Sequence, residues 1–550
     1  MPKLVLPDSI LARTAAVAIV ENARAAVPGT ERCPKNAVVG TIRQVHPNAR
    51  CKAEKLRRAC NILAPKSVSS QSRATRVRST PECSGPQFEG AFEKMLTSRT
   101  AMHVLFVFAV ILLAFVVGAL TVASETFPGT HVQAAYRAGT AYYEKLTTRH
   151  DPLASDLWAP ARSATLGVVM EDDSRAQSGL TLYASGDSAR AQLIGPGGAV
   201  AYEWARPYSQ VWDRTARVRS PVPDAQVYFR RAQVFPNGEL LVIYEGAGDS
   251  PYGYGLVKLD RHSNVVWKNL DHFHHDFFVA DGGLVYGLAH QYRPEPVPGM
   301  DHLSLPVTED FLVIVSATDG RTVQRISLLD AFANSDYRDM LWLVPNASLA
   351  DPLHVNSVKR LDREQAAQLA GKVPVAAAGQ VLLSLRELGH GALALLDPEQ
   401  RKIVWAIRGP WQAQHDADLL PNGNLLVFDN TGHYGAGGRS RILEVNPATS
   451  GIEWTYAGDA EHVFDSAIRG SQERQPNGNT LVVESQAGRM FEVTAEGEIV
   501  WDFLMPVRGG NNDAQTPIVS WGQRIDPATF DPAFRQILFT NLQAKEMESE

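Results

Sequence analysis

LPNGNLLVFDN, residues 420–430, is the stretch whose reading decides the fold. An Asn-Gly pair followed at once by an apolar run reads as the corner of a β-hairpin. The same phrase stands at FPNGELLVIYE (235–245) and QPNGNTLVVES (475–485), with weaker copies at DGGLVYGLAH (281–290) and AGQVLLSLRE (378–387). Downstream of the copies comes a second hairpin that closes on a tryptophan: LVKLDRHSNVVW (256–267), LALLDPEQRKIVW (393–405), ILEVNPATSGIEW (442–454) and FEVTAEGEIVW (491–501). Trp405, Trp454 and Trp501 are 49 and 47 residues apart. One unit of that length makes four antiparallel strands, the size of a propeller blade. GGAVAYEW (197–204) closes an earlier unit, and TDGRTVQRISL (318–328) closes another without its tryptophan. Six units predict an all-β domain, a six-bladed β-propeller over residues 161–505, with the tryptophans packing between blades.

Upstream of the repeats the composition changes. Val104 to Ala123, VLFVFAVILLAFVVGALTVA, carries no charge and a single hydroxyl, Thr121. About 20 apolar helical residues cross a bilayer core of ~30 Å, so the propeller is expected to be preceded by one transmembrane helix, within residues 95–124. Lys94 and Arg99 precede the run, and the next basic residue after it is Arg137. The positive-inside bias then leaves the N-terminus in the cytoplasm and the large domain outside it, in the periplasm of a cell with an inner membrane. An uncleaved anchor is the expectation; the alternative is a signal peptide cut after Ala123. Residues 1–94 lack apolar periodicity and are expected to be disordered. Residues 125–160, with AAYRAGTAYYEKL, are expected to form a helical linker, and 506–550 a closing segment with an acidic tail.

The formal net charge of −6 hides an asymmetry: 17 Lys/Arg against 7 Asp/Glu in residues 1–100, and 36 against 52 in the remainder. The acidic bulk excludes nucleic acid as a partner, since that requires a basic face. Cys33, Cys51, Cys60 and Cys83 all precede the apolar run and have no metal-ligand spacing, so they read as free thiols.

In a propeller the innermost strand of each blade lines the central channel, so matched positions converge although they are far apart in sequence. The Asn-Gly turn supplies the register. His415 stands eight residues before Gly423, and His275 seven before Gly282. Blade four carries an insertion, Leu361 to Lys372, and its innermost strand begins at HVNSV, which contributes His354 and Asn356. Blade two offers Arg230 at the equivalent place and blade six Gly470. Three successive blades thus aim a histidine at one channel mouth. A single such histidine is usually structural; three in register point to a site. Asp276 and Asp416 are assigned to turns and inter-blade hydrogen bonds. His272, His274, His290, His390 and His433 have no matched register and are read as structural or solvent-facing. A metal is the first alternative for an imidazole cluster. Arg386, in LLSLREL (382–388), argues against it, because a guanidinium there repels a cation and favours an anion.

With these residues in view the chain resembles the periplasmic arylsulfotransferases, a six-bladed propeller family. The carrying segments are HHDFFVADGGLVYGLAH (274–290), HVNSV (354–358) with LLSLREL (382–388), and QAQHDADLLPNGNLLVFDNTG (412–432). The resemblance implies transfer of a sulfuryl group from an aryl sulfate donor to a phenolic acceptor without a nucleotide sulfate. It implies His415 as the nucleophile of a sulfo-histidine intermediate. His354, Asn356 and Arg386 would hold the sulfuryl oxygens, and His275 would assist proton movement or binding. No cofactor and no metal are implied. Two departures stand out: members often carry a disulfide near the nucleophile's blade, where this domain has no cysteine, and the loop RPEPVPGMDHLSLP (293–306) is its own.

A non-catalytic envelope propeller that binds a protein or cell-wall partner is the main rival, since propellers are widely reused. A quinoprotein dehydrogenase would need more repeats and an acidic calcium cluster. A nucleotide-dependent sulfotransferase would need a phosphate-cradling Gly-rich loop.

Overall fold

The computed structural model describes residues 99–123 and 151–549, in two compact units. The four cysteines, the expected disordered region and all but the last ten residues of the expected linker lie outside the described residues. The first unit holds one helix, Arg99–Ala123. Its window Ala101–Thr121 has a mean hydropathy of 3.0 and buries none of its side chains, so it is long and apolar enough to cross a membrane.

The second unit is a six-bladed β-propeller. Blade two runs Val227–Val234, Leu240–Gly246, Gly253–Leu259 and Val265–Asn269; blade three Phe273–Ala280, Leu284–Arg293, Val307–Ser316 and Thr322–Ser327. Blade four runs Val355–Arg360, Val381–Leu385, Ala392–Asp397 and Lys402–Arg408; blade five His415–Leu419, Leu425–Asp429, Arg441–Asn446 and Gly451–Tyr456. Blade six is Ser471–Arg474, Thr480–Glu484, Arg489–Val493 and Ile499–Leu504, with Gly167–Glu171 added outside. Every neighbouring pair is antiparallel, and the innermost strand is named first.

Blade one is assembled from both ends of the domain. Leu180–Ser185, Arg190–Ile194 and Val200–Ala205 come from its start, while the innermost strand, Val519–Ile525, comes from its end. That strand lies beyond the last Asn-Gly phrase, inside the stretch that sequence reading treats as a closing segment. The terminal helix Pro532–Ser549 buries Phe534 and Leu538 against blade one, and Asn541 donates to the Ala201 carbonyl. Of the stretch expected as a helical linker, the described end holds a single 3-10 turn, Pro152–Ala154, and a strand, Trp158–Pro160, paired with Gln515–Pro517.

Each sheet is covered on both faces, so its central strands carry apolar residues on both faces rather than alternating strictly; Leu240–Gly246 is buried at every position. The apolar side chains form six layers between neighbouring blades. Leu182 and Trp204 meet Val242 and Phe229 between blades one and two. Leu481 and Met490 meet Tyr183 and Val519 between blades six and one, which closes the ring. The tryptophans also tie blades by hydrogen bonds. Trp204, Trp267, Trp454 and Trp501 donate from Nε1 to the carbonyls of Gly238, Ala317, Ala495 and Pro196, each on the next blade. Packing of such a side chain contributes about 1.5–3 kcal/mol, and the bond removes the cost of burying the indole N–H.

Candidate functional site

The innermost strands are irregular at their first residues. The ladder slips between Phe229 and Arg231, His274 and Phe277, Val355 and Ser357, and His415 and Asp418. A bulge leaves a residue out of the ladder and re-aims its side chain. His275, His354 and Asp416 adopt left-handed backbone, with φ of 57°, 46° and 44°. For non-glycine residues this costs about 1–3 kcal/mol each, and such strain collects at functional sites. Blade six contributes no side chain here. Its Gly470 has φ 103°, and a Cβ at that position would stand 2.5 Å from the Phe428 ring.

The structure brings the three histidines together. The His275 ring centroid lies 5.2 Å from that of His354 and 6.2 Å from that of His415. His275 and His415 are buried, 7% and 3% exposed.

His415 is held in one tautomer. Its Nδ1 lies 2.8 Å from Asn430 Oδ1. Asn430 donates both of its amide hydrogens, to the Ser466 carbonyl at 2.7 Å and the Arg469 carbonyl at 2.6 Å. Its oxygen is therefore the acceptor, His415 Nδ1 carries the proton, and the ring lone pair sits on Nε2. Burial, followed by the positive charges of Arg386 and Arg230, holds the His415 pKa well below the usual histidine range. The ring is neutral at neutral pH.

His354 is the opposite case. Burial disfavours its charge, but the Asp351 carboxylate, 2.6 Å from Nδ1, outweighs burial through charge and hydrogen bond and raises the pKa. Of the trio, His354 is thus the ring whose surroundings favour the charged form. When it is protonated, its remaining ring N–H is a charge-assisted donor.

Arg386 closes the second strand of blade four. Its backbone N–H donates to the His354 carbonyl at 3.2 Å, and its guanidinium pairs with Glu387. Its charge depresses the pKa of both His354 and His415. Arg230 occupies the matched position in blade two, 4% exposed, and donates to the Ser520 carbonyl at 2.9 Å. Asn356, also buried, donates its amide to the carbonyl of Gln414 at 2.7 Å, which braces the backbone just before His415.

Asp276 and Asp416 serve the neighbouring blades. Asp276 Oδ2 accepts from the Val358 N–H at 3.0 Å while Oδ1 pairs with Arg231 at 2.9 Å. Asp416 Oδ2 accepts from the Gln472 N–H at 3.2 Å. Burial moves the Asp416 carboxyl up to about 7, against the pull of Lys359.

His274 and His290 are buried, 1% and 2% exposed, beside His275 and stacked at 4.4 Å. With Asp310 they place ligand-type atoms within 4.8 Å of one another. Part of the cluster is occupied by its own contacts, and His274 Nε2 has no hydrogen-bond partner among the described residues. His274 Nδ1 lies 2.8 Å from His275 Nδ1 and Nε2 lies 3.2 Å from Asp310 Oδ1, while His290 Nε2 accepts from the Gly253 N–H at 3.4 Å.

The site as a whole is a neutral imidazole with a free Nε2, faced by a second neutral histidine and ringed by His354, Arg386 and Arg230. That suits a nucleophile attacking a centre whose oxygens carry negative charge. A family model described as Arylsulfotransferase (ASST) matches residues 231–505, half of the chain, and contains every one of these groups except Arg230. The chain belongs to the arylsulfotransferase family. Membership and the propeller fold support a sulfotransferase-type function. No curated protein matches the chain. Similar solved structures include a protein of unknown function from Bacteroides caccae, at 12% identity over 62% of this chain and 99% of that one, TM-score 0.38. BamB from Moraxella catarrhalis aligns at 11% identity over 65% and 97%, TM-score 0.30. The Dos1 propeller aligns at 9% identity over 65% and 78%, TM-score 0.33.

For this arylsulfotransferase-family chain, sequence reasoning found the three histidines, Arg386 and Asn356 but not their partners. Asp351 was within reach, because it stands three residues before His354 and both precede a strand. Asn430 directly follows the second strand of blade five, two residues past Phe428, the ladder partner of His415. His274 and His290 have no blade register, and their burial comes from packing under His275.

Proposed function

We propose that this protein moves a sulfuryl group from an aryl sulfate ester to a phenol through a sulfo-His415 intermediate, without a nucleotide sulfate. The observation that carries the reading is the Asn430-locked, neutral His415 set among cationic donors. His415 Nε2 attacks sulfur, the N–S bond forms, and the S–O bond to the donor phenolate breaks. His354 and Arg386 donate to the sulfuryl oxygens, with Arg230 adding charge from blade two. Asn356 holds the Gln414 carbonyl with one amide hydrogen and has its second for a sulfuryl oxygen. In the second half-reaction a phenol oxygen attacks sulfur, the N–S bond breaks, and its electron pair returns to Nε2. Each fixed donor of this kind contributes about 10²–10³ in rate. We place the domain outside the cytoplasm, carried by the helix Arg99–Ala123 with its basic flank inside.

The test uses the full-length chain in detergent with p-nitrophenyl sulfate. Nitrophenol release that requires a phenol acceptor, a sulfated peptide containing His415, and loss of both in His415→Ala are the expected results. A protein that folds yet turns over no aryl sulfate across a broad donor panel defeats the proposal.

A further inference from the structure

Behind His275 lies a line of buried groups that the sulfuryl chemistry leaves unused. His274 Nε2 stands 3.2 Å from Asp310 Oδ1, an ion-pair distance without hydrogen-bond alignment, and has no hydrogen-bond partner among the described residues; the carboxylate facing it favours a proton over a lone pair on that nitrogen. The second oxygen of Asp310 accepts from the Val355 N–H at 3.0 Å, which fixes the carboxylate next to His354. His274 Nδ1 faces His275 Nδ1 at 2.8 Å. With its proton on Nε2, toward the Asp310 carboxylate, the His274 ring offers a lone pair at Nδ1. His275 must then carry its proton on Nδ1, and its Nε2 holds the lone pair. The orientation of His275 is held independently, since its backbone N–H donates to Glu245 at 2.8 Å and the Tyr252 hydroxyl stands 3.4 Å from Nδ1.

We infer that Asp310, His274 and His275 form a proton relay that takes the acceptor phenol's proton and returns it to the leaving phenolate of the next donor. The inference rests on the sulfo-His415 reading and extends it to two positioning residues. As the phenol oxygen bonds to sulfur and the N–S bond breaks, the phenol proton passes to His275 Nε2. The His275 Nδ1 proton passes to His274 Nδ1, which becomes an imidazolium facing the Asp310 carboxylate. The next donor reverses both transfers, so the cycle consumes no proton. The surroundings explain why the proton does not stay on His275. Burial, then Arg230, His274, His354 and His415, disfavour charge on that ring. His274 instead faces Asp310, with Asp351 also close enough to feel its charge, and His290 stacked on its ring. General base help of this kind is worth about 10²–10⁴.

The two half-reactions of the full-length protein separate the relay from mere structural support. Nitrophenolate leaves without needing a proton, so the burst from p-nitrophenyl sulfate in Asp310→Asn and His274→Gln stays within about twofold of wild type. Transfer from sulfo-enzyme to unsubstituted phenol falls about 10²-fold, while transfer back to nitrophenol changes little. The loss therefore grows with acceptor pKa. An equal loss for all acceptors, or none, overturns the relay. If neither variant folds, 15N imidazole shifts of wild-type His275 decide: Nδ1–H supports the relay and Nε2–H overturns it. A wild-type protein without a burst would instead remove the sulfo-His415 reading itself.

Discussion

Replacing Asn430 by alanine tests the centre of the site with a single deletion. Asn430 does two things: its oxygen holds the Nδ1 proton of His415, and its amide ties the Ser466 and Arg469 carbonyls. The first bond is worth about 0.5–1.5 kcal/mol. At about 1.4 kcal/mol per factor of ten, its loss lowers the population of the productive tautomer roughly two- to tenfold. Rotation of the freed ring adds to that, so sulfo-enzyme formation is expected to slow by about tenfold or somewhat more. Two carbonyls lose a donor as well, at about 1–3 kcal/mol of stability for a buried group left unsatisfied. The assay is stopped-flow release of nitrophenol from p-nitrophenyl sulfate with no acceptor present. The burst rate should drop while its amplitude, set by folded protein, stays near one per active site. A burst of wild-type rate in a variant with a lowered melting temperature would falsify the tautomer argument, leaving Asn430 as a strut between blades.

Three further outcomes follow from the same geometry. Because His415 must be neutral and its pKa is depressed, the acid limb of the burst rate should lie below the ordinary histidine value of about 6.5; an acid limb near 6.5 contradicts this. The Asp351 carboxylate raises the His354 pKa, so the share of activity and stability that its charged form supplies is lost as pH rises through that raised value, which gives the profile an alkaline limb; Asp351→Asn should move this limb to lower pH. Gly470→Ala forces a Cβ to 2.5 Å from the Phe428 ring at φ 103°, and chemical denaturation should show a loss of about 1–3 kcal/mol.

The blades were legible because each repeats the same local phrase, an Asn-Gly corner and a closing tryptophan, and local phrases report hairpins well. The innermost strand of blade one was not, because VSWGQRI follows no such corner and pairs with Leu180–Ser185 from the far end of the domain. In blade four the insertion replaced the corner with a capped helix, Arg363–Ala370, but left HVNSV in register. Register was enough to bring His275, His354 and His415 to one place. It could not report which acceptor each ring nitrogen would meet, since Asn430, Asp351 and Asp310 reach their histidines by side-chain contact across strands and loops. Nor could it show that His274 is turned inward, because the bulge at His275 interrupts the alternation by which one would assign its face.

The strand Val519–Ile525 has a consequence for how the protein is made. Arg230 is held by the carbonyl of Ser520, 290 positions later in the sequence, and Arg231 stacks under Trp521 with its guanidinium 3.6 Å from the ring centre. Bringing such distant segments together costs on the order of 5 kcal/mol in chain entropy. None of that is recovered until the last strand docks. During synthesis, five blades can therefore exist while the channel mouth is still incomplete. The support of Arg230 and Arg231 is complete only once Val519–Ile525 has been made, and a molecule released before that is open at the seam.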